Sequence, residues 1–160
     1  MFDNLLESIE EKKRIISVVD FCEGNLYENK IDQNLSRKKF QTLYSIDMDD
    51  LVEFVDSEDE KTIVLVHICQ HNIRACTRLN EVLAQISIAC PYIKIGYIEE
   101  TGNQFKKEML PILIVYQNGD VLESHIRIID EIGHNFDFDD ILNFLLDRKY
   151  VSPSEVQCIN

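Results

Sequence analysis

The sequence predicts an α/β domain: a mixed, mostly parallel sheet flanked by helices, with an N-terminal helical extension. Three observations predict it. The runs at 62–68 (TIVLVHI) and 112–116 (ILIVY) are nearly continuous in apolar, β-branched residues, as strands buried on both faces are. Segments with apolar residues at helical spacing separate the strand-like runs. Asn118-Gly119, the strongest short hairpin signal in the chain, joins the last two strands.

The elements follow in order. Over Asp3–Val19, Leu5, Leu6, Ile9, Ile16 and Val19 recur at helical spacing with charges between them, which predicts an amphipathic helix. Gly24 and Asn25 interrupt it, and 26–35 is weakly helical. The run 39–46 (KFQTLYSI) reads as a strand. Asp47 and Asp50 have the spacing of a cap and its third helical residue, so a helix opens there with Leu51, Val52, Phe54 and Val55 on its apolar face. After the strand at 62–68, residues Ile73, Cys76, Leu79, Val82, Leu83, Ile86 and Ala89 define a long helix that ends before Pro91. Residues 92–98 (YIKIGYI) alternate as a strand, and 101–109 reads as a short helix. Beyond the Asn-Gly turn, 121–128 (VLESHIRI) is the antiparallel partner. Its alternation puts Leu122, Ser124, Ile126 and Ile128 on one face and Glu123, His125 and Arg127 on the other. A last helix over Phe138–Asp147 buries Ile141, Leu142, Leu145 and Leu146, with Asp137 and Asp140 at capping spacing. The reading divides the chain into a helical extension (1–35), the α/β domain (36–150) and a polar tail (151–160).

Composition narrows the function. The chain has 160 residues, 29 acids, 16 bases and a net charge of −13. Such a charge repels phosphate backbones and anionic membrane surfaces, which argues against nucleic-acid binding. The imbalance is local: eight acids and no Lys or Arg lie between Ser45 and Glu60, and five acids and no Lys or Arg between Ile128 and Asp140. Four of these (Asp47, Asp50, Asp137, Asp140) have a capping role. Asp56, Glu58, Asp59, Glu60, Asp130 and Glu131 are the candidates for a docking face toward a basic partner. No apolar run reaches the ~18–20 residues of a membrane helix, and the first residues lack a signal-peptide pattern.

Five cysteines, an odd number with no C-x-x-C pair, read as reduced thiols in the cytoplasm rather than as a disulfide framework. His67, Cys69 and His71 alternate along one strand, but a zinc site needs about four ligands and no second chelate pair is present. We therefore expect no metal. No glycine-rich phosphate loop occurs among the five glycines, so no nucleotide cofactor is expected.

A βαβ half followed by a ββα half is the thioredoxin arrangement. The stretch 110–120 (LPILIVYQNGD) resembles the thioredoxin segment in which a cis proline opens a strand ending in a glycine turn, which makes Pro111 the candidate for a cis bond. Where that fold carries its redox loop, this chain reads 70–76 (QHNIRAC). Ile73 stands at the first active cysteine, and only the second remains, as Cys76. More specifically, 64–68 (VLVHI), Cys76-x-x-Leu79-Asn80, 90–94 (CPYIK), 110–120 and 126–136 (IRIIDEIGHNF) resemble the phosducin and phosducin-like family. The likeness covers about residues 35–153.

That resemblance implies a redox-inactive thioredoxin-like domain with a vestigial site at Ile73, Cys76 and Pro111. It implies a non-enzymatic cytoplasmic adaptor. Its implied partners are the G-protein βγ dimer, through the Gβ propeller, and the cytosolic chaperonin, with which it would act as co-chaperone. The alternative is a thiol-disulfide oxidoreductase with a single-cysteine site at Cys76. Such an enzyme needs a nucleophilic thiolate, and Cys69 is the nearest candidate for a resolving thiol.

Overall fold

A computed structural model of the chain describes residues 37–102 and 104–157. The helix expected over 3–19 lies outside them. The described elements are β1 (Leu43–Ser45), α1 (Leu51–Asp56), β2 (Ile63–Cys69), α2 (Arg74–Ala89), β3 (Lys94–Glu99), β4 (Ile112–Gln117), β5 (Asp120–His125), α3 (Ile129–Ile132) and α4 (Phe138–Asp147). The strands form one sheet in the order β1-β3-β2-β4-β5. β1, β3 and β2 run parallel, while β4 pairs antiparallel with both β2 and β5. The mixed sheet flanked by helices is the expected fold class.

β2 sits at the centre, and its unbroken apolar run follows from burial on both faces. Leu65 joins Ile95, Leu113 and Val115 against Leu79, Leu83 and Ile86 of α2 and Ile141, Leu142 and Leu145 of α4. Val64 and Val66 face the other way, with Ile98, against Phe54 and Val55 of α1. Gly96 on β3 makes this second face fit. A Cβ there would lie 2.7 Å from the Phe54 ring, so only glycine lets α1 approach this closely. Lys94 closes the far end of α1. Its Nζ donates to the Phe54 carbonyl at 2.7 Å and to Ser57 Oγ at 3.0 Å, a cation placed at the negative end of the helix.

Five local expectations change. Asp47 forms no side-chain cap: residues 48–50 make a 3₁₀ turn, and the Asp50 N–H donates to the Asp47 backbone carbonyl instead. The matching pair at α4 does form a capping box, with Asp137 and Asp140 each accepting the other's N–H. The strand at 39–46 contracts to Leu43–Ser45. Among the described residues of 101–109 the helical structure is a 3₁₀ turn at Lys107–Met109; Glu100 Oε1 accepts the N–H groups of Gly102 and Gln104.

The fourth change is in β5. Tyr116 pairs with Val121 but Val115 with Glu123, so Leu122 is an extra, bulged residue. The expected two faces hold along the rest of the strand: Glu123 and His125 turn toward α4, while Leu122, Ser124 and Ile126 are exposed. The strand ends at His125, and Arg127, at φ 52°, turns the chain so that Ile128 is buried beside α3. Residues 151–157, read as a polar tail, instead bury Val151 and Val156 in the main core.

Candidate functional site

The end of β2, the turn at 70–73 and the start of α2 make the site. The chain leaves β2 at Cys69, and α2 starts at Arg74, which places Cys76 in its first turn with its side chain facing inward. Cys76 is 1% exposed. It shares an apolar cluster with Ile68, Cys69, Leu110 and Ile112, against which Ile73 packs. The Leu110–Pro111 bond is cis, and the buried Pro111 lies between two members of that cluster. The structure thus brings Ile73, Cys76 and the Pro111 segment together.

Burial pushes both thiols of the cluster up. Cys69 reaches about 11, and Asn80 only partly offsets the burial. Cys76 is raised as well, again by burial, opposed by a backbone hydrogen bond from the Gln70 segment. A thiolate nucleophile needs the opposite environment: an exposed, electropositive one. At neutral pH the two sulfurs behave as small apolar groups.

Behind them lies a residue whose partner only the tertiary structure reveals. His67 is fully buried on β2, and its Nδ1 donates to Asn80 Oδ1 on α2 at 2.7 Å. Asn80 Nδ2 in turn lies 3.7 Å from Cys69 Sγ. Nε2 of His67 has no hydrogen-bond partner among the described residues. Burial lowers the His67 pKa to about 4, with Asn80 opposing, so the ring is neutral. The alternation of His67, Cys69 and His71 does not converge on one point: His71 is exposed and pairs with Glu99 at 2.9 Å. A cleft of about 370 Å³ opens over Cys69, His71, Cys76, Asn80 and Glu99.

The six candidate docking acids fall in two separate regions, each with its own partners. Glu58 is held by Lys94 at 2.9 Å and Lys38 at 3.1 Å. Burial opposes its ionisation, but the two lysines outweigh it and its pKa is lowered. Asp59 Oδ1 accepts from the Thr62 hydroxyl and the Lys61 and Thr62 N–H groups, which lowers its pKa and starts β2. Asp56 lies against the Asn118–Gly119 turn, and Glu60 is exposed. In the second region Asp130 pairs with Arg127 at 3.0 Å. Glu131 bridges His125 Nδ1 and Arg148, each at 2.7 Å.

Solved thioredoxins share this architecture. A point-mutant thioredoxin from Halobacterium salinarum superimposes with a TM-score of 0.52 over 78% of this chain and 100% of its own, at 14% identity. Thioredoxin f2 of Chlamydomonas reinhardtii gives 0.52 over 69% of this chain and 99% of its own, at 11% identity. The fold is thioredoxin-like. The family model described as Phosducin matches residues 7–160, and the chain belongs to the phosducin family. Phosducin-like protein 1 of Dictyostelium discoideum is 32% identical over 78% of this chain and 40% of its own length. Phosducin of Bos taurus is 24% identical over 96% of this chain and 71% of its own. Human phosducin is 25% identical over 68% of this chain and 46% of its own. The chain thus spans less than half of the Dictyostelium and human relatives it matches.

Proposed function

We propose that the chain is a non-catalytic, cytoplasmic adaptor of the phosducin family. It binds the Gβ propeller of a G-protein βγ dimer and works with the cytosolic chaperonin in folding and assembling that subunit, and so modulates G-protein signalling. The observation that carries the reading is the family match over residues 7–160. The buried, protonated Cys76 beside Ile73 supports it, because a thioredoxin-like site without an accessible thiolate leaves the fold as a docking scaffold. Charge complementarity supplies orientation and encounter rate at such a surface more than net affinity. Asp56, Glu60 and Asp130 are exposed and serve that role best, since Glu58 is already clamped by two lysines. Among the described residues no helix is long and apolar enough to cross a membrane.

The test is capture with purified components. Immobilised full-length chain is expected to retain both the βγ dimer and chaperonin, and retention of neither overturns the reading. An insulin-reduction assay addresses the alternative. Wild type and Cys76→Ala are both expected to be inactive, whereas activity lost on substitution assigns a thiol-disulfide oxidoreductase instead.

A further inference from the structure

A second cleft lies far from the vestigial site in chemical character. It measures about 300 Å³ and opens between the start of β2, the end of β4 and the C-terminal end of α4. Its wall carries Arg37, Lys61, Arg148 and Lys149 against one carboxylate, Glu155. On a chain of net charge −13 this is a local reversal of sign.

The four cations are not equivalent. Arg37 is paired with Glu155, and Arg148 is held by Glu123 at 3.0 Å and Glu131 at 2.7 Å. Those guanidinium groups are fixed parts of the wall. Lys61 and Lys149 are exposed and form no ion pair among the described residues. Their charge is left for a ligand.

Lys149 carries a second, independent signal. It adopts φ 64° directly after α4, where its N–H donates to the Leu146 carbonyl and the next N–H, of Tyr150, to the Leu145 carbonyl. That double closure is the helix terminus at which glycine is the favoured residue, because a Cβ is strained in the left-handed region. The chain places a lysine there, and the lysine lines the cleft.

We propose that this cleft binds a phosphate monoester on a small organic body. Two unpaired ammonium groups match the double charge of a phosphoryl group. The volume is at the lower end of the roughly 300–1,000 Å³ of small-molecule sites. Ile63 and Leu122 add an apolar wall for the organic part, and Leu122 is free for contact because the β5 bulge leaves it exposed.

The experiment is a titration of the ¹⁵N-labelled full-length chain with phenyl phosphate and, separately, with inorganic phosphate, followed by amide spectra. Saturable shifts are expected at Lys61, Gln117 and Lys149, with phenyl phosphate the tighter of the two and both weakened by added salt. Lys61→Ala and Lys149→Gly should each weaken phenyl phosphate roughly tenfold, the loss of one charged hydrogen bond. Lys107→Ala, on a distant turn, should not. Both lysines are exposed, so the variants should keep the native spectrum outside the cleft. Unsaturable shifts scattered over the exposed lysines, or unchanged affinity in both variants, overturn the site. Equal affinity for the two probes reassigns it to free phosphate and overturns the monoester.

Discussion

His67 is a residue whose ionisation folding alters strongly in the mildly acidic range. Its pKa falls from 6.5 to about 4 because burial penalises the imidazolium. Between those values the unfolded chain holds a proton that the native chain lacks, so native stability rises with pH and is lost as pH falls from about 6.5 to 4. The full difference is about 3 kcal/mol at one pKa unit per ~1.4 kcal/mol. Urea unfolding at pH 7 and pH 5 should show a drop in stability for the wild type, and a His67→Gln variant should lack that slope. Lys149 offers a different contrast. Lys149→Gly relieves the left-handed strain but removes a favourable charge at the end of α4. The two effects are each of order 0.5–1 kcal/mol and oppose one another, so stability should stay within about 0.5 kcal/mol. Lys149→Ala keeps the strain and loses the charge, so thermal melting should show it as the less stable of the two variants.

At the scale of elements, two identical sequence spacings have different outcomes. Asp137 and Asp140 close a capping box on α4, whereas Asp47 and Asp50 do not. Asp137→Ala should therefore cost about 1 kcal/mol, and Asp47→Ala well under half of that. Chemical denaturation of the two variants checks the difference. Spacing alone does not separate the cases, because the 3₁₀ turn that precedes α1 has already engaged the Asp50 N–H. β5 shows the same limit. The Asn118–Gly119 turn was legible, and both residues have the positive φ, 55° and 79°, that such a turn requires. The bulge at Leu122 was not, since nothing local marks which residue goes unpaired.

Across the whole molecule, long-range partners account for much of what composition leaves open. Several of the acids behind the −13 charge already have partners within the chain: Glu58 under Lys94, Asp59 at the start of β2, and Glu131 between His125 and Arg148. The C-terminal residues likewise belong to the core. Val151 and Val156 are 3% and 5% exposed, Gln157 donates to the Ala89 carbonyl, and Glu155 pairs with Arg37. A chain ending at Tyr150 should lose about 3 kcal/mol, the worth of two buried valines reduced by the entropy of the segment. A lower midpoint in thermal unfolding of the shortened chain checks this.

The sequence by itself determined the type and order of most described elements, the central buried strands, the hairpin turn, the box on α4 and the site segment around Ile73, Cys76 and Pro111. These are properties of short stretches: hydrophobic period, turn chemistry and the residues at a few spaced positions. Only the tertiary structure decided that His67 is neutral against Asn80, that Glu123 and His125 face inward, that residues 151–157 join the core, and that Lys61 and Lys149 meet at one cleft. Each of those depends on strand register and on residues far apart in the chain. No local pattern encodes which distant group will arrive, or how completely it will exclude water.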